Sequence, residues 1–166
     1  MSIFNTAAQF LKQQPVSEDV QSWLLHSESL TARLKASFSG EFDVRVKSQH
    51  QAVPTIDEQL QLSLTPDTET LIREVGLYIA GKKLLDARTI IPLTTLQGPA
   101  IELARLGNKP LGHVIFSDPS LQRTELEIAC DSKSPNTTWS RRSLYLYLGK
   151  PLLVAETFVD GFDFTK

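Results

Sequence analysis

Cysteine is almost absent from this chain, and its scarcity excludes several kinds of site. The 166 residues contain one cysteine, Cys130, which rules out an internal disulfide framework and a cysteine-based zinc cluster. The three histidines, His26, His50 and His113, are scattered and lack the spacing of metal ligands. We therefore predict no metal site, and we interpret the histidines as surface or structural residues.

Strong net charge and long apolar runs are missing as well. Seventeen basic and nineteen acidic residues leave a formal net charge of -2, which gives no electrostatic reason to bind nucleic acid or an anionic membrane. No stretch approaches the roughly 18 apolar residues of a membrane span. The segment 1–15 also lacks the basic-then-apolar pattern of a signal peptide. These absences predict a cytoplasmic protein without membrane insertion, whose partner is a small molecule.

The composition is that of an ordinary globular protein. Hydrophobic residues make up 41% of the chain and charged residues 22%, and the length suits a single domain over residues 1–166. No glycine-rich phosphate loop, HExxH motif or GxSxG motif occurs, so none of the sites that these motifs build is expected.

Two short helices are predicted near the N-terminus. Ser17 is a suitable helix cap and is followed by two acidic residues in the first turn. A second helix is expected after Ser29, carrying Leu30 and Leu34 on one side. The pair forms a helix-turn-helix in the geometric sense only, because the clustered basic surface of a DNA-binding protein is missing.

Most of the remaining chain is predicted to be strands. Alternation with a period of two indicates a half-exposed strand at 42–47, whereas 48–68 is interpreted as a long irregular connection with at most a short ordered piece at 60–64. Further strands are expected at 70–79, 84–91, 111–116, 123–129, 140–148 and 152–159, with a short helix at 100–106. Because the connections are short, antiparallel pairing is favoured. The predicted fold class is α+β, a sheet of about six antiparallel strands covered by a few helices.

Two charged residues lie on strand faces that otherwise look like core. Glu156, in the segment GKPLLVAETF, shares its face with apolar residues: Leu152, Val154 and Phe158. Arg73 is in the same situation, on a face with Leu71, Val75, Leu77 and Ile79. An unpaired buried charge costs several kcal/mol, so we expect each of the two to meet a partner.

Arg88 is predicted to join Arg73. A two-residue turn at 81–82 would place Arg88 on the same face as Arg73 and diagonal to it. Two arginines on one pocket wall call for anions, and arginine is well shaped to bind carboxylates. One interpretation is therefore a dianionic small ligand. The other is a buried network in which Glu156 and Asp86 pair with the arginines without any ligand, and the pattern alone leaves both open.

Four segments resemble the chorismate lyase family, in the same order along the chain. They are SWLLHSESLTARL (22–34), REVGLYIAGKKLLDARTIIPLTTLQGP (73–99), LARLGNKPLG (103–112) and WSRRSLYLYLGKPLLVAETF (139–158). The most specific parts are ARTIIPLTTLQGP, LGNKPLG and the final segment. The regions before residue 17, between 38 and 69, and after 159 match poorly.

The resemblance implies conversion of chorismate to 4-hydroxybenzoate and pyruvate on the route to ubiquinone. It further implies a monomer that needs no metal or organic cofactor and holds its product in a buried pocket under helical flaps. Arg73 would bind the ring carboxylate, helped by the backbone at Leu30, and Leu111 would line the pocket through its PLG turn. Glu156 would accept a hydrogen bond from the ring hydroxyl. Arg88 would bind the enolpyruvyl carboxylate of this dianionic substrate.

The resemblance leaves several questions open. His113 after the PLG turn, and the loop 131–138, differ from the family pattern and could alter flap closure or product affinity. The ring proton could be removed by an enzyme base or transferred within the substrate. A non-catalytic sensor is the alternative function, because the ligand-binding domains of some transcription regulators resemble chorismate lyase in fold. A degenerate lyase that only binds product is another.

Overall fold

A single antiparallel sheet carries the architecture. The computed structural model describes residues 3–124, 126–132 and 137–166. Within these ranges the strands are β1 (Asn5–Thr6), β2 (Phe42–Ala52), β3 (Thr70–Ile79), β4 (Lys82–Pro92), β5 (Gln122–Arg123), β6 (Glu127–Asp131), β7 (Thr138–Tyr147) and β8 (Lys150–Phe158). The helices are α1 (Ala7–Gln13), α2 (Glu18–Leu24), α3 (Leu30–Ser37), α4 (Ile56–Gln61), α5 (Leu111–Ile115) and a 3₁₀ helix, Gly98–Arg105. The predicted α+β class is confirmed, with eight strands in the described residues rather than about six.

The sheet brings two hairpins together at its centre. Its strand order is β1-β6-β7-β8-β4-β3-β2, with β5 paired to β7. The β3–β4 hairpin and the β7–β8 hairpin therefore meet where β4 pairs with β8. On one face, which we call the cavity face, α2, α3, α5 and the 3₁₀ helix pack against the strands. The other, the far face, has a smaller apolar cluster of Leu62, Ile72, Ile90 and Leu153.

The two predicted N-terminal helices are confirmed. The Ser17 side chain accepts a hydrogen bond from the Val20 N–H and so caps α2. Ser29 caps α3 in the same way, and Leu30 and Leu34 on α3 are buried in the core. No helix in the described ranges is long and apolar enough to cross a membrane.

Three segments differ from the sequence predictions. The single strand expected at 123–129 is two short strands, β5 and β6, and each of them pairs with β7. The expected irregular connection at 48–68 instead contains the second half of β2 and the helix α4. A capping box starts α4, because Thr55 accepts from the Glu58 N–H and the Glu58 carboxylate accepts from the Thr55 N–H. The strand expected at 111–116 is the helix α5, since a short apolar run fits either element until its packing is known.

The β3–β4 hairpin has a different register from the predicted one. Ile79 pairs with Lys82, so the turn consists of residues 80–81 rather than 81–82. Both turn residues have positive φ, 49° and 76°, as a tight two-residue hairpin requires. The register shifts again between residues 77 and 78, where β4 carries one extra residue, Leu84. This β-bulge lets Leu84 and the adjacent Leu85 both enter the same core cluster, which regular alternation would not allow.

The shifted register turns Arg88 away from Arg73. Arg88 pairs directly with Glu74 and therefore lies on the far face, whereas Arg73 lies on the cavity face. The prediction that the two arginines share a pocket wall is wrong, because a one-residue change of register moves every side chain to the other side of the sheet.

Candidate active site

A cavity lies over the cavity face of the sheet, beneath the N-terminal end of α3 and the helix α5. About 550 Å³ of empty space lies here, part of it open solvent at the mouth of the cavity. Four of the five predicted site residues line it: Leu30, Arg73, Leu111 and Glu156. Its floor consists of small and apolar side chains of the central strands, among them Val75, Ala87, Thr89 and Val154. The fifth predicted residue, Arg88, does not line it.

Arg73 is a buried cation that meets no carboxylate among the described residues. Only 3% of it is exposed. Its Nη1 donates to Gln49 Oε1 at 2.9 Å, and its Nη2 donates to the carbonyls of Gly107 at 2.7 Å and Lys109 at 3.2 Å. Burial lowers the pKa of Arg73 from its ordinary value. The side chain therefore supports the loop before α5 and leaves a positive charge in the cavity wall that no carboxylate of the described residues neutralises.

Glu156 lies at the other end of the cavity floor. It is on β8, Arg73 is on β3, and β4 runs between them. Since neighbouring strands are about 4.8 Å apart, the two backbones are separated by roughly 10 Å across the sheet. A ring-sized ligand between the two side chains would meet a cation at one end and a carboxylate at the other.

Glu156 has a partner that the sequence analysis missed. Arg141 Nε donates to Glu156 Oε2 at 2.8 Å, and Arg141 is 1% exposed. The Nη1 of Arg141 donates to three carbonyls at the C-terminal end of α2, those of Trp23 (3.3 Å), Leu24 (3.2 Å) and His26 (2.7 Å). Arg141 thus joins the cavity carboxylate to the end of a helix whose carbonyls have no intrahelical donors.

A sequence signal for Arg141 was available in the β7–β8 hairpin. Its turn is formed by Leu148 and Gly149, and Tyr147 pairs with Lys150. Counting back from that turn places Arg141 directly opposite Glu156, which is the observed pair.

The predicted network, in which Glu156 and Asp86 pair with Arg73 and Arg88, does not form. Glu156 pairs with Arg141, and Asp86 pairs with Lys47 at 2.5 Å and Lys83 at 3.0 Å. Within the described part of the chain, Arg73 binds amide oxygens alone. The arrangement therefore combines one structural ion pair with one cation that remains available to an anionic ligand.

Arg88 and its neighbour on the far face, Arg142, are fully engaged in ion pairs. Arg88 binds Glu58 at 2.7 Å and Glu74 at 3.0 Å. Arg142 binds Glu127 at 2.5 Å and also Asp57. Hydrogen bonds to these carboxylates raise the pKa of Arg88 above its ordinary value, although burial opposes the effect.

Tyr145 is a second group that sequence reasoning missed. It lines the cavity, is 5% exposed, and packs edge-on against Phe116 with ring centroids 5.9 Å apart. Its hydroxyl has no hydrogen-bond partner among the described residues. Burial, reinforced by the negative charge of Glu156, raises the pKa of Tyr145, so the hydroxyl remains protonated at neutral pH.

Arg123 lies behind Tyr145. Its Nε donates to Ser143 Oγ at 2.9 Å, and its Nη1 donates to the carbonyls of His26 at 3.2 Å and Ser27 at 3.3 Å. The guanidinium carbon is 5.7 Å from the centroid of the Tyr145 ring. Arg123 forms no ion pair with a carboxylate in the described part of the chain, and burial lowers its pKa.

The fold is shared with domains of transcriptional regulators. The effector domain of PhnF from Mycobacterium smegmatis is similar to this chain with a TM-score of 0.58 at 12% identity, covering 81% of this chain and 89% of that one. The C-terminal domain of the histidine utilization repressor from Pseudomonas syringae pv. tomato has a TM-score of 0.55 at 9% identity, with 73% and 92% covered. At these identities the likeness concerns the fold alone.

Sequence comparison defines the family more closely. The family model described as "Chorismate lyase" matches residues 6–166. A "Probable chorismate pyruvate-lyase" of Methylococcus capsulatus is 40% identical over 152 residues, which cover 84% of this chain and 94% of the relative. Another of the same name, from Photobacterium profundum, is 39% identical over 137 residues, covering 82% and 76%. The chain belongs to the chorismate lyase family, and the resemblance noted in the sequence is confirmed.

Proposed function

We propose that this protein is a chorismate pyruvate-lyase, which eliminates pyruvate from chorismate to give 4-hydroxybenzoate. Membership of the family supports this activity. The structural observation that carries the proposal is the cavity with Arg73 at one end and Glu156 at the other, because a ring with a carboxylate and a hydroxyl at opposite positions matches that polarity.

In the proposed complex the ring carboxylate binds Arg73. The N-terminal end of α3 lies beside the same cavity, and its first-turn N–H groups, including that of Leu30, have no intrahelical acceptors. These donors add to the charge-assisted hydrogen bonds of the guanidinium. Leu111 contributes apolar contact from α5, and the apolar floor packs against the face of the ring.

At the other end, the ring hydroxyl donates to Glu156. Arg141 engages Oε2 of this carboxylate, which leaves Oε1 to accept from the ligand. Because Arg141 is itself fixed by three carbonyls at the end of α2, the carboxylate is held in one orientation. Such fixed acceptors align a substrate without reorganisation during the reaction.

The elimination needs little covalent help from the protein. The proton on the carbon that bears the ring hydroxyl leaves, its electron pair enters the ring, and the ether bond breaks with its electrons going to the enolpyruvate oxygen. The ring becomes aromatic, which makes the reaction strongly downhill. Positioning of the enolpyruvyl arm and positive charge near the departing oxygen supply the acceleration. The proton passes either to Glu156 as a base or to the enolpyruvyl methylene.

Turnover by the purified protein is the direct test. Incubation with chorismate should yield 4-hydroxybenzoate and pyruvate in equal amounts, and the reaction should survive exhaustive chelation because we propose no metal or organic cofactor. Binding of 4-hydroxybenzoate without any turnover would instead support a sensor or a degenerate lyase. Loss of activity with a chelator, restored by a divalent ion, would contradict the proposed independence from cofactors.

The proposal extends to the state and place of the enzyme. We infer a cytoplasmic monomer acting on the route to ubiquinone, whose product leaves only when the α2–α3 pair moves. Release would then limit turnover, and rapid mixing would show a burst of product in the first turnover. A linear trace without product inhibition would contradict rate-limiting release.

A further inference from the structure

The proposed substrate carries two carboxylates, and Arg73 can bind only one of them. Arg88, the residue predicted to bind the second, lies on the far face and pairs with Glu58 and Glu74. If the chain acts on chorismate as proposed, another group beside the cavity must receive the enolpyruvyl carboxylate.

The positions of Arg73 and Glu156 restrict where that carboxylate can lie. With the ring carboxylate at Arg73 and the ring hydroxyl at Glu156, the ether oxygen is on the carbon next to the hydroxyl. The enolpyruvyl arm therefore leaves the ring near Glu156 and runs sideways along the strands. In one direction β8 and β4 present Phe158 and Leu85, which are buried in an apolar cluster. An ionised carboxylate there would lose its hydration without compensation.

In the opposite direction along the strands, the cavity wall includes a polar side chain. Two residues before Glu156 on its face of β8 comes Val154, which pairs with Ser143 on β7. Tyr145 is the next residue of β7 on the same face, and it lines the cavity. Its hydroxyl donates to no described residue, so this buried side chain has a hydrogen-bond donor available to a ligand.

Positive charge is available in the same direction. Arg123 uses Nε and Nη1 for Ser143 and for the carbonyls after α2, whereas its Nη2 donates to none of the described residues. Its guanidinium lies against the ring of Tyr145. Arg73, Arg123 and Arg141 together with Glu156 give the surroundings of the cavity a formal charge of about +2, which matches a dianion better than a ligand with one carboxylate.

We propose that Tyr145 and Arg123 form the binding site for the second carboxylate of the substrate. The Tyr145 hydroxyl donates directly to the carboxylate, and the Arg123 guanidinium behind it supplies the compensating charge. The product 4-hydroxybenzoate has no such carboxylate and does not use this site.

Replacing Tyr145 with phenylalanine tests the proposal, because the change removes only the hydroxyl. For Tyr145→Phe we expect kcat/KM for chorismate to fall by roughly tenfold to a hundredfold, the range for one charge-assisted hydrogen bond. The Kd for 4-hydroxybenzoate, measured by calorimetry, should be the same as in the wild type. Tyr147→Phe is the matched control, since Tyr147 is on the same strand and face but donates to Glu102 at 2.8 Å.

Arg123→Gln provides an independent variant that keeps hydrogen-bond donors and removes the charge. It should also lower kcat/KM for chorismate and leave the Kd for 4-hydroxybenzoate unchanged. Equal kcat/KM for Tyr145→Phe and Tyr147→Phe would overturn the proposal. An equal loss of affinity for chorismate and 4-hydroxybenzoate would overturn it too, since it would indicate a general change of the cavity. If the wild type does not turn over chorismate at all, the proposed function fails first, and this inference fails with it.

Discussion

Arg73 on the cavity face differs from Arg88 and Arg142 on the far face in what its guanidinium binds. On the far face, Arg88 and Arg142 each bind two carboxylates. On the cavity face, Arg73 is 3% exposed, against 32% for the Arg88 side chain, and among the described residues it binds amide oxygens alone. Neutralised arginines hold the protein together, whereas an arginine left with positive charge in a cavity wall is a candidate for ligand binding.

The far-face pairs explain how α4 is attached to the sheet. Asp57 and Glu58 are in the first turn of α4 and bind Arg142 and Arg88, respectively. Because acidic residues also favour the N-terminal end of a helix, the same side chains stabilise the helix and fix it to the strands. These charges are satisfied within the protein, so we assign them to structure rather than to the reaction.

The largest predicted effect is a loss of turnover when Glu156, on the cavity face, is replaced. Glu156→Gln keeps the shape and an acceptor oxygen for Arg141 but removes the charge. Turnover should fall by roughly 100- to 10,000-fold if Glu156 is the general base, and by less if it only orients the substrate. Glu58→Gln, which alters an arginine-bound carboxylate on the far face, is the control and should leave kcat unchanged.

Melting temperature should be measured on the same samples. If Glu156 serves only as the partner of Arg141, the variant should be destabilised by about 3 to 5 kcal/mol, as for a broken buried pair. A large drop in melting temperature, with a normal rate for the protein that remains folded, would contradict a role for Glu156 in the reaction.

Arg142→Ala should have the largest effect on stability. The side chain is 3% exposed, and its removal takes away a cation that binds both Asp57 and Glu127. We expect the free energy of unfolding to decrease by an amount near the lower end of roughly 3 to 5 kcal/mol, because both carboxylates keep some access to water. Denaturant unfolding measures this change. A reduced affinity of the folded variant for 4-hydroxybenzoate would show that the far face also influences the cavity.

Arg73→Ala should lower the affinity for 4-hydroxybenzoate, which Arg142→Ala should leave unchanged. Loss of a charge-assisted hydrogen bond to the ring carboxylate should weaken 4-hydroxybenzoate binding by roughly tenfold to a hundredfold. Arg88→Ala is the matched variant on the other face and should change stability without changing affinity. Unchanged affinity of Arg73→Ala in calorimetry would place Arg73 with the structural arginines instead.

Sequence patterns predicted which face of its strand each site residue lies on, but they did not predict which residues pair across neighbouring strands. Alternation along β3 and β8 correctly assigns Arg73 and Glu156 to faces lined with apolar residues, because alternation within a strand is local. Pairing across strands depends on every residue between the turn and the site. One extra residue in β4, Leu84, is enough to carry Arg88 to the other face.

Two other features could have been predicted from short sequence motifs, a hairpin turn and a helix capping box. The turn at 148–149 fixes the partner of Glu156, and the Thr55–Glu58 capping box marks the start of α4 within the predicted irregular connection. The segment 111–116 is different, because a short apolar run does not distinguish a helix from a strand. Its helical form depends on packing beneath the 3₁₀ helix and beside β7.

The smallest predicted effect is a difference in acid sensitivity, and it follows from the far-face pairs. Burial alone would raise the pKa of Glu58, but hydrogen bonds from Arg88 and the Thr55 N–H lower it below the ordinary value of 4.5. A carboxylate with a lowered pKa stabilises the fold fully above its ordinary pKa, and this stability is lost as the pH falls through the pKa of the folded protein. Wild type should therefore be more stable than Glu58→Gln at pH 7, and the difference should shrink below about pH 4.5. Denaturant unfolding across this range measures it, with Glu69→Gln as a control because Glu69 is exposed and forms no ion pair among the described residues. A gap between wild type and Glu58→Gln that stays constant down to the acid transition would mean that the Arg88 pair adds nothing to stability through charge.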